Sequence, residues 1–128
     1  MKSGMTEGQM ATIDITVTSE MYAQFDGTVV HPAYSTVTMI YHMEWVSRKI
    51  ILPYLEEHEE GMGAAVSAKH LFPAREGTIL IITAIVSKLT KNTVVTEVTV
   101  KSKEKLIGIG EVKQIILTKS KIASLLQQ

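Results

Sequence analysis

Apolar and polar residues alternate along Ala11 to Thr18, where Ile13, Ile15 and Val17 take turns with Thr12, Asp14, Thr16 and Thr18. A period of two predicts a half-buried strand. The stretch that follows, Ser19 to Tyr34, holds no steady period and carries a turn signal at Asp26-Gly27, so it is expected to be a loop or lid. From Thr36 to about His58 the pattern becomes helical. Ser35 is the expected N-cap, and Pro53 kinks the helix or ends its main part near Leu52. Gly61 and Gly63 are expected to close this segment, after the acidic run Glu56, Glu57, Glu59 and Glu60. Beyond Gly63, four runs rich in Val, Ile and Thr predict strands: Ala64 to Pro73, Thr78 to Thr90, Thr93 to Lys103 and Leu106 to Thr118. The tail, Lys119 to Gln128, is expected to be a short helix.

The connections between these strands are short: Ala74 to Gly77, Lys91-Asn92 and a turn near Glu104. Connections of that length join antiparallel neighbours. One long apolar helix and one long sheet must bury their faces on each other. The expected architecture is α+β, a central helix wrapped by a curved antiparallel sheet of about five strands, which is the hotdog arrangement. No repeat or linker interrupts the 128 residues, so a single domain covering 1–128 is expected.

Composition narrows the chemistry. Lys plus Arg and Asp plus Glu are both 13, so no basic excess points to nucleic acid or an anionic membrane. Cysteine is absent, which excludes disulfides, thiolate zinc sites and a Cys nucleophile. No His pair has zincin-like spacing, so no metal is expected, and no nucleotide cradle or serine elbow occurs. The longest apolar run, Ile79 to Val86, is strand-sized. A soluble cytoplasmic protein is the expectation.

On a helical wheel Met39, Met43, Val46 and Ile50 form one stripe, extended by Ile40, Ile51 and Val37. Thr38, His42 and Lys49 lie opposite and are expected to be solvated. Glu44 falls between Ile51 and Val37, inside the broad apolar face. A carboxylate there is a candidate base or nucleophile, and the competing reading is an ion pair with Arg48 one turn on. His70 shares its strand face with Val66, Ala68 and Phe72, as a catalyst or as a hydrogen-bonded core histidine. Thr36, in the first helical turn, is either a capping hydroxyl or part of the same groove. Gly108 and Gly110 mark a close approach of backbone or ligand, or a bulge.

The run Ser35-Thr36 to Met43-Glu44-Trp45, then Pro53-Tyr54-Leu55-Glu56, then Gly63-Ala64-Ala65 to His70, resembles the hotdog thioesterases of the fluoroacetyl-CoA thioesterase type. The resemblance spans nearly the whole chain. It implies a homodimer with two sites at the subunit interface, and a catalytic Thr, Glu and His that fall on Thr36, Glu44 and His70. It also implies that Gly63 lines the pocket. Gln114 stands where the relatives carry an Arg, and the lid is shorter than in the fluoroacetyl-specific enzyme, keeping only Phe25 of its phenylalanines.

The expected activity is therefore hydrolysis of a short or small acyl-CoA, with CoA as part of the substrate and no separate cofactor. Glu44 attacks the thioester carbonyl or activates water, His70 moves protons and Thr36 holds the geometry. Met39, Met43, Phe25 and Tyr34 are expected to line the acyl pocket, with Gln114 beside it. Arg75, Lys88, Lys91 and Lys113 are the candidates for the CoA phosphates. The alternatives are a non-catalytic acyl-CoA-binding module and a hotdog dehydratase. The strand Ala64 to Pro73 is the expected dimer edge, and assembly beyond the dimer is open.

Overall fold

The computed structural model describes residues 1–103 and 105–128. Its strands are β1 (Met10–Thr16), β2 (Tyr22–Phe25), β3 (Thr28–Tyr34), β4 (Glu59–His70), β5 (Ile79–Leu89), β6 (Thr93–Ser102) and β7 (Lys105–Thr118). The helices are α1 (Thr36–Ile51), followed by a 3-10 turn at Leu52–Tyr54, and α2 (Lys119–Leu126). Five strands form one antiparallel sheet in the order β1-β5-β6-β7-β4, and β2 pairs with β3 in a separate hairpin. Helix α1 packs on the inner face of the large sheet. The expected hotdog arrangement is therefore present.

The core shows why α1 lies where it does. Met39, Met43, Val46, Ile50 and Ile51 are buried against Leu80, Ile82, Val98, Val100 and Val112 from the inner faces of β5, β6 and β7. Gly108 and Gly110 let the helix come close. A Cβ on Gly108 would meet Met39 Sδ at 2.5 Å, and one on Gly110 would meet Met43 Sδ at 2.7 Å. The close approach expected there is thus to the helix's side chains. Ser35 caps α1 by accepting from the Thr38 backbone N–H at 3.0 Å, an interaction of about 1 kcal/mol.

Four expectations are corrected. The segment Ser19 to Tyr34 is a hairpin entered through a 3-10 turn at Ser19–Met21, with Asp26 and Gly27 at positive φ forming its tip. Strand β4 begins at Glu59, inside the acidic run expected to belong to the helical segment. Its acids are held by partners: Glu59 by the N-terminal ammonium at 2.6 Å and Glu60 by Arg48 at 2.9 Å. Strands β4 and β5 are not neighbours, because β4 pairs with β7 and the segment 71–78 crosses the ends of β7 and β6. His42 is 4% exposed, because Tyr34 reaches over it. The turn expected near Glu104 falls outside the described residues. Among the described residues no helix is long and apolar enough to cross a membrane, and no His/Asp/Glu cluster could hold a metal.

Candidate active site

Two of the three expected site residues meet within the chain. Thr36 Oγ1 lies 2.9 Å from His70 Nδ1. The contact forms because the first turn of α1 sits over the C-terminal end of β4, where His70 faces inward opposite Gly108. Burial pushes the His70 imidazole below its ordinary pKa, so the ring is neutral at pH 7. Its other nitrogen, Nε2, is buried and has no hydrogen-bond partner. An unpaired buried nitrogen is costly, and it is free to exchange a proton with a group brought beside it.

Tyr34 fixes this corner from behind. Its hydroxyl shares a 2.7 Å hydrogen bond with His42 Nδ1, and its ring meets the His70 ring edge-on with centroids 6.0 Å apart. Burial pushes the Tyr34 hydroxyl well up and the His42 imidazole down, so both groups are neutral. Tyr34 also walls a cavity of about 300 Å³ with Thr36, His70, Leu71, Phe72 and His31. The hairpin strand β3 forms its opposite side. His31 was not singled out from the sequence, since it sits in a stretch without a periodic pattern. Its pairing with Ala23 across the hairpin brings it to the cavity.

Glu44 lies elsewhere in the chain and is not buried, contrary to the wheel. It follows Thr36 by eight residues, about 12 Å of helix rise. Its carboxylate rests on Gly63, where a Cβ would stand 2.6 Å from Oε1. Arg48 turns to Glu60 instead, so the alternative Glu44–Arg48 pairing does not form. Glu44 shares an open stripe of α1 with Val37 and Tyr41, which are 67% and 63% exposed. The apolar face on the wheel is really two faces, one against the sheet and one open.

The remaining expected residues divide. Gln114 is buried on the inner face of β7 opposite Gly63, and its Nε2 has no partner. Tyr34 lines the cavity as expected. Met39 and Met43 do not line a pocket: both are 0% exposed, sealed between the helix and the glycines of β7. Phe25 is 64% exposed beside the hairpin tip and does not reach the cavity.

The family model of FlK, fluoroacetyl-CoA-specific thioesterase, matches residues 17–120. No curated protein matches the sequence. Among solved structures, a hypothetical protein of Thermus thermophilus described as a thioesterase superfamily member is 41% identical, covers 95% of this chain and 90% of its own, and superposes with a TM-score of 0.90. The fluoroacetyl-CoA thioesterase FlK is 22% identical over 98% of both chains, with a TM-score of 0.89. A hot-dog-like protein from Thermanaerovibrio acidaminovorans is 15% identical, covers 94% of this chain and 90% of its own, and has a TM-score of 0.86.

Proposed function

The chain belongs to the fluoroacetyl-CoA-specific thioesterase family, and on that premise we propose that it hydrolyses a small acyl-CoA thioester at a site shared between two copies of itself. The observation that carries this reading is the separation inside one chain. Thr36 and His70 are in hydrogen-bond contact, while Glu44 lies two helical turns away on an open face. Along β4, Gly63 and His70 are roughly 20 Å apart, so Glu44 cannot serve the His70 corner of its own chain.

A two-fold partner brings them together. Strand β4 is the sheet edge, with one side of its backbone unpaired. Antiparallel pairing of two such edges, centred on Ser67, puts Gly63 of one chain across from the partner's His70. Both residues face inward, because the register shift between Gly63 and Ala65 keeps the faces in step. The partner's Glu44 then arrives beside Thr36 and His70. The same docking covers Val37 and Tyr41, which otherwise stay exposed.

In this arrangement the thioester carbonyl lies between Glu44 of one chain and His70 of the other. The Glu44 carboxylate attacks the carbonyl carbon, or takes a proton from the water that does. The C–S bond breaks and the thiolate leaves as CoA once protonated; after direct attack the acyl group stays on Glu44 as an anhydride, which water hydrolyses to the free acid and the restored carboxylate. His70, neutral and with Nε2 free, supplies or accepts the proton. Thr36 holds the ring by its Nδ1. The cavity of about 300 Å³ suits a small acyl group.

The test is thiol release from short, branched and aromatic acyl-CoAs, with the wild type and Glu44→Ala compared. Turnover that disappears in the variant supports the reading. Turnover equal in both proteins overturns the role of Glu44, and binding without any release points to a carrier of acyl-CoA.

A further inference from the structure

We infer that the phosphates of the substrate's nucleotide end are held by Arg75, Lys103 and Lys105, in a basic cleft beside the cavity at Thr36 and His70. The inference rests on the thioesterase reading for the identity of the ligand.

The cleft is built where three segments meet: the 71–78 crossing, the end of β6 and the start of β7. A second cavity of about 380 Å³ shares Ala33 and Pro73 with the site cavity and is walled by Arg75, Thr78, Ser102 and Lys105. A third, of about 630 Å³, shares Arg75, Thr78 and Ser102 with the second and adds Glu76 and Lys103. The Lys105 ammonium stands 4.1 Å above the ring of Phe72, which itself lines the site cavity. The three cavities are therefore neighbours: Ala33 and Pro73 border the first two, and Arg75, Thr78 and Ser102 border the last two. Lys101 pairs with Ile81, a wall residue of the third cavity, but does not itself line it.

Among the described residues, three cations, Arg75, Lys103 and Lys105, and one acid, Glu76, line the second and third cavities. Among the described residues, none of Arg75, Lys101, Lys103 and Lys105 is in an ion pair. Glu76, the acid beside Arg75, accepts a hydrogen bond from the Tyr22 hydroxyl at 2.9 Å. In a chain of zero net charge, three cations against one acid along adjoining cavities leave a local positive excess among the described residues. Thr78 and Ser102 add hydroxyl donors, and Arg75 adds a planar fork suited to a phosphate. Of the four cations the sequence offered for this task, only Arg75 lines these cavities. Lys88, Lys91 and Lys113 stand toward the opposite end of β5, β6 and β7.

The experiment compares Arg75→Gln/Lys105→Gln with the wild type on two substrates of the same acyl group: the CoA thioester and its N-acetylcysteamine counterpart, which has no phosphates. The expected result is a KM for the CoA ester raised about tenfold or more, with kcat and the truncated substrate unchanged. Calorimetry with adenosine 3′,5′-bisphosphate reads the cleft without turnover, and the variant is expected to lose the binding the wild type shows. An unchanged KM, equal losses on both substrates, or no binding of the bisphosphate by the wild type overturns the proposal. So does the same KM effect from Lys88→Gln/Lys91→Gln. A wild type that binds the bisphosphate but releases no thiol leaves the cleft standing and sinks the hydrolase reading alone.

Discussion

The Thr36–His70 corner and the Glu44–Gly63 corner belong to one proposed site but are built in opposite ways. The first is finished inside the chain. Its hydrogen bond is 2.9 Å long, its imidazole is desolvated, and Tyr34 and His42 brace it from behind. The second is open. Glu44 is exposed, it has no ion-pair partner among the described residues, and its carboxylate lies against Gly63 on a sheet-edge strand. In the proposed dimer, catalysis would depend on assembly: the braced half would set geometry, and the open half would supply charge when the partner docks.

The sharpest way to break the contrast is to remove the charge. Glu44→Gln should lower kcat by on the order of 10²–10⁴-fold while the melting temperature stays put, because the side chain is exposed and unpaired in the chain. A large stability loss would place Glu44 in a structural role. Gly63→Ala comes next. Its Cβ would sit 2.6 Å from Glu44 Oε1, so the carboxylate must shift, and kcat should fall about tenfold to a hundredfold. Unchanged kinetics would show that Gly63 does not set the carboxylate's position.

On the braced side the effects are smaller. Thr36→Ala removes one hydrogen bond to His70 and should cost about tenfold in kcat, and Thr36→Ser should restore most of it. If Ser rescues nothing, the hydroxyl is not what orients the ring. The smallest effect is on pH. His70 and His42 are both lowered by burial, so the unfolded chain takes up these protons near pH 6.5 while the folded chain does so only at lower pH. Stability should decline as pH falls below about 6.5, and activity should persist below that value until His70 itself is protonated. An activity loss centred above pH 6.5 would contradict the lowered His70.

How much of this the sequence carried follows from where each signal originates. The α1 stripe and the Val/Ile-rich strands were legible because burial inside one chain imposes a period on the residues that pack. Ser35 was legible as a cap because its side chain acts locally. The hairpin was not, since only Tyr34 among the residues of β2 and β3 is buried and Pro32 breaks the run. His42 was misplaced because the Tyr34 hydroxyl that satisfies it comes from outside the helix. Glu44 was singled out on the expectation of burial, yet the chain leaves it exposed. An apolar stripe cannot say whether its cover is the same chain or another copy. Met39 and Met43 were read as pocket lining because the fit of thioether on Gly108 and Gly110 depends on helix-to-strand distance, which no periodicity encodes.

Mixing two inactive variants tests the shared site most directly. Glu44→Ala and His70→Ala are each expected to release no thiol alone. Unfolded and refolded together, half the dimers carry one of each chain, and each of those holds one site with both groups intact. The mixture should recover about a quarter of wild-type activity. A mixture as inactive as its parents, under conditions where mixed dimers are shown to form, would contradict a site divided between two chains.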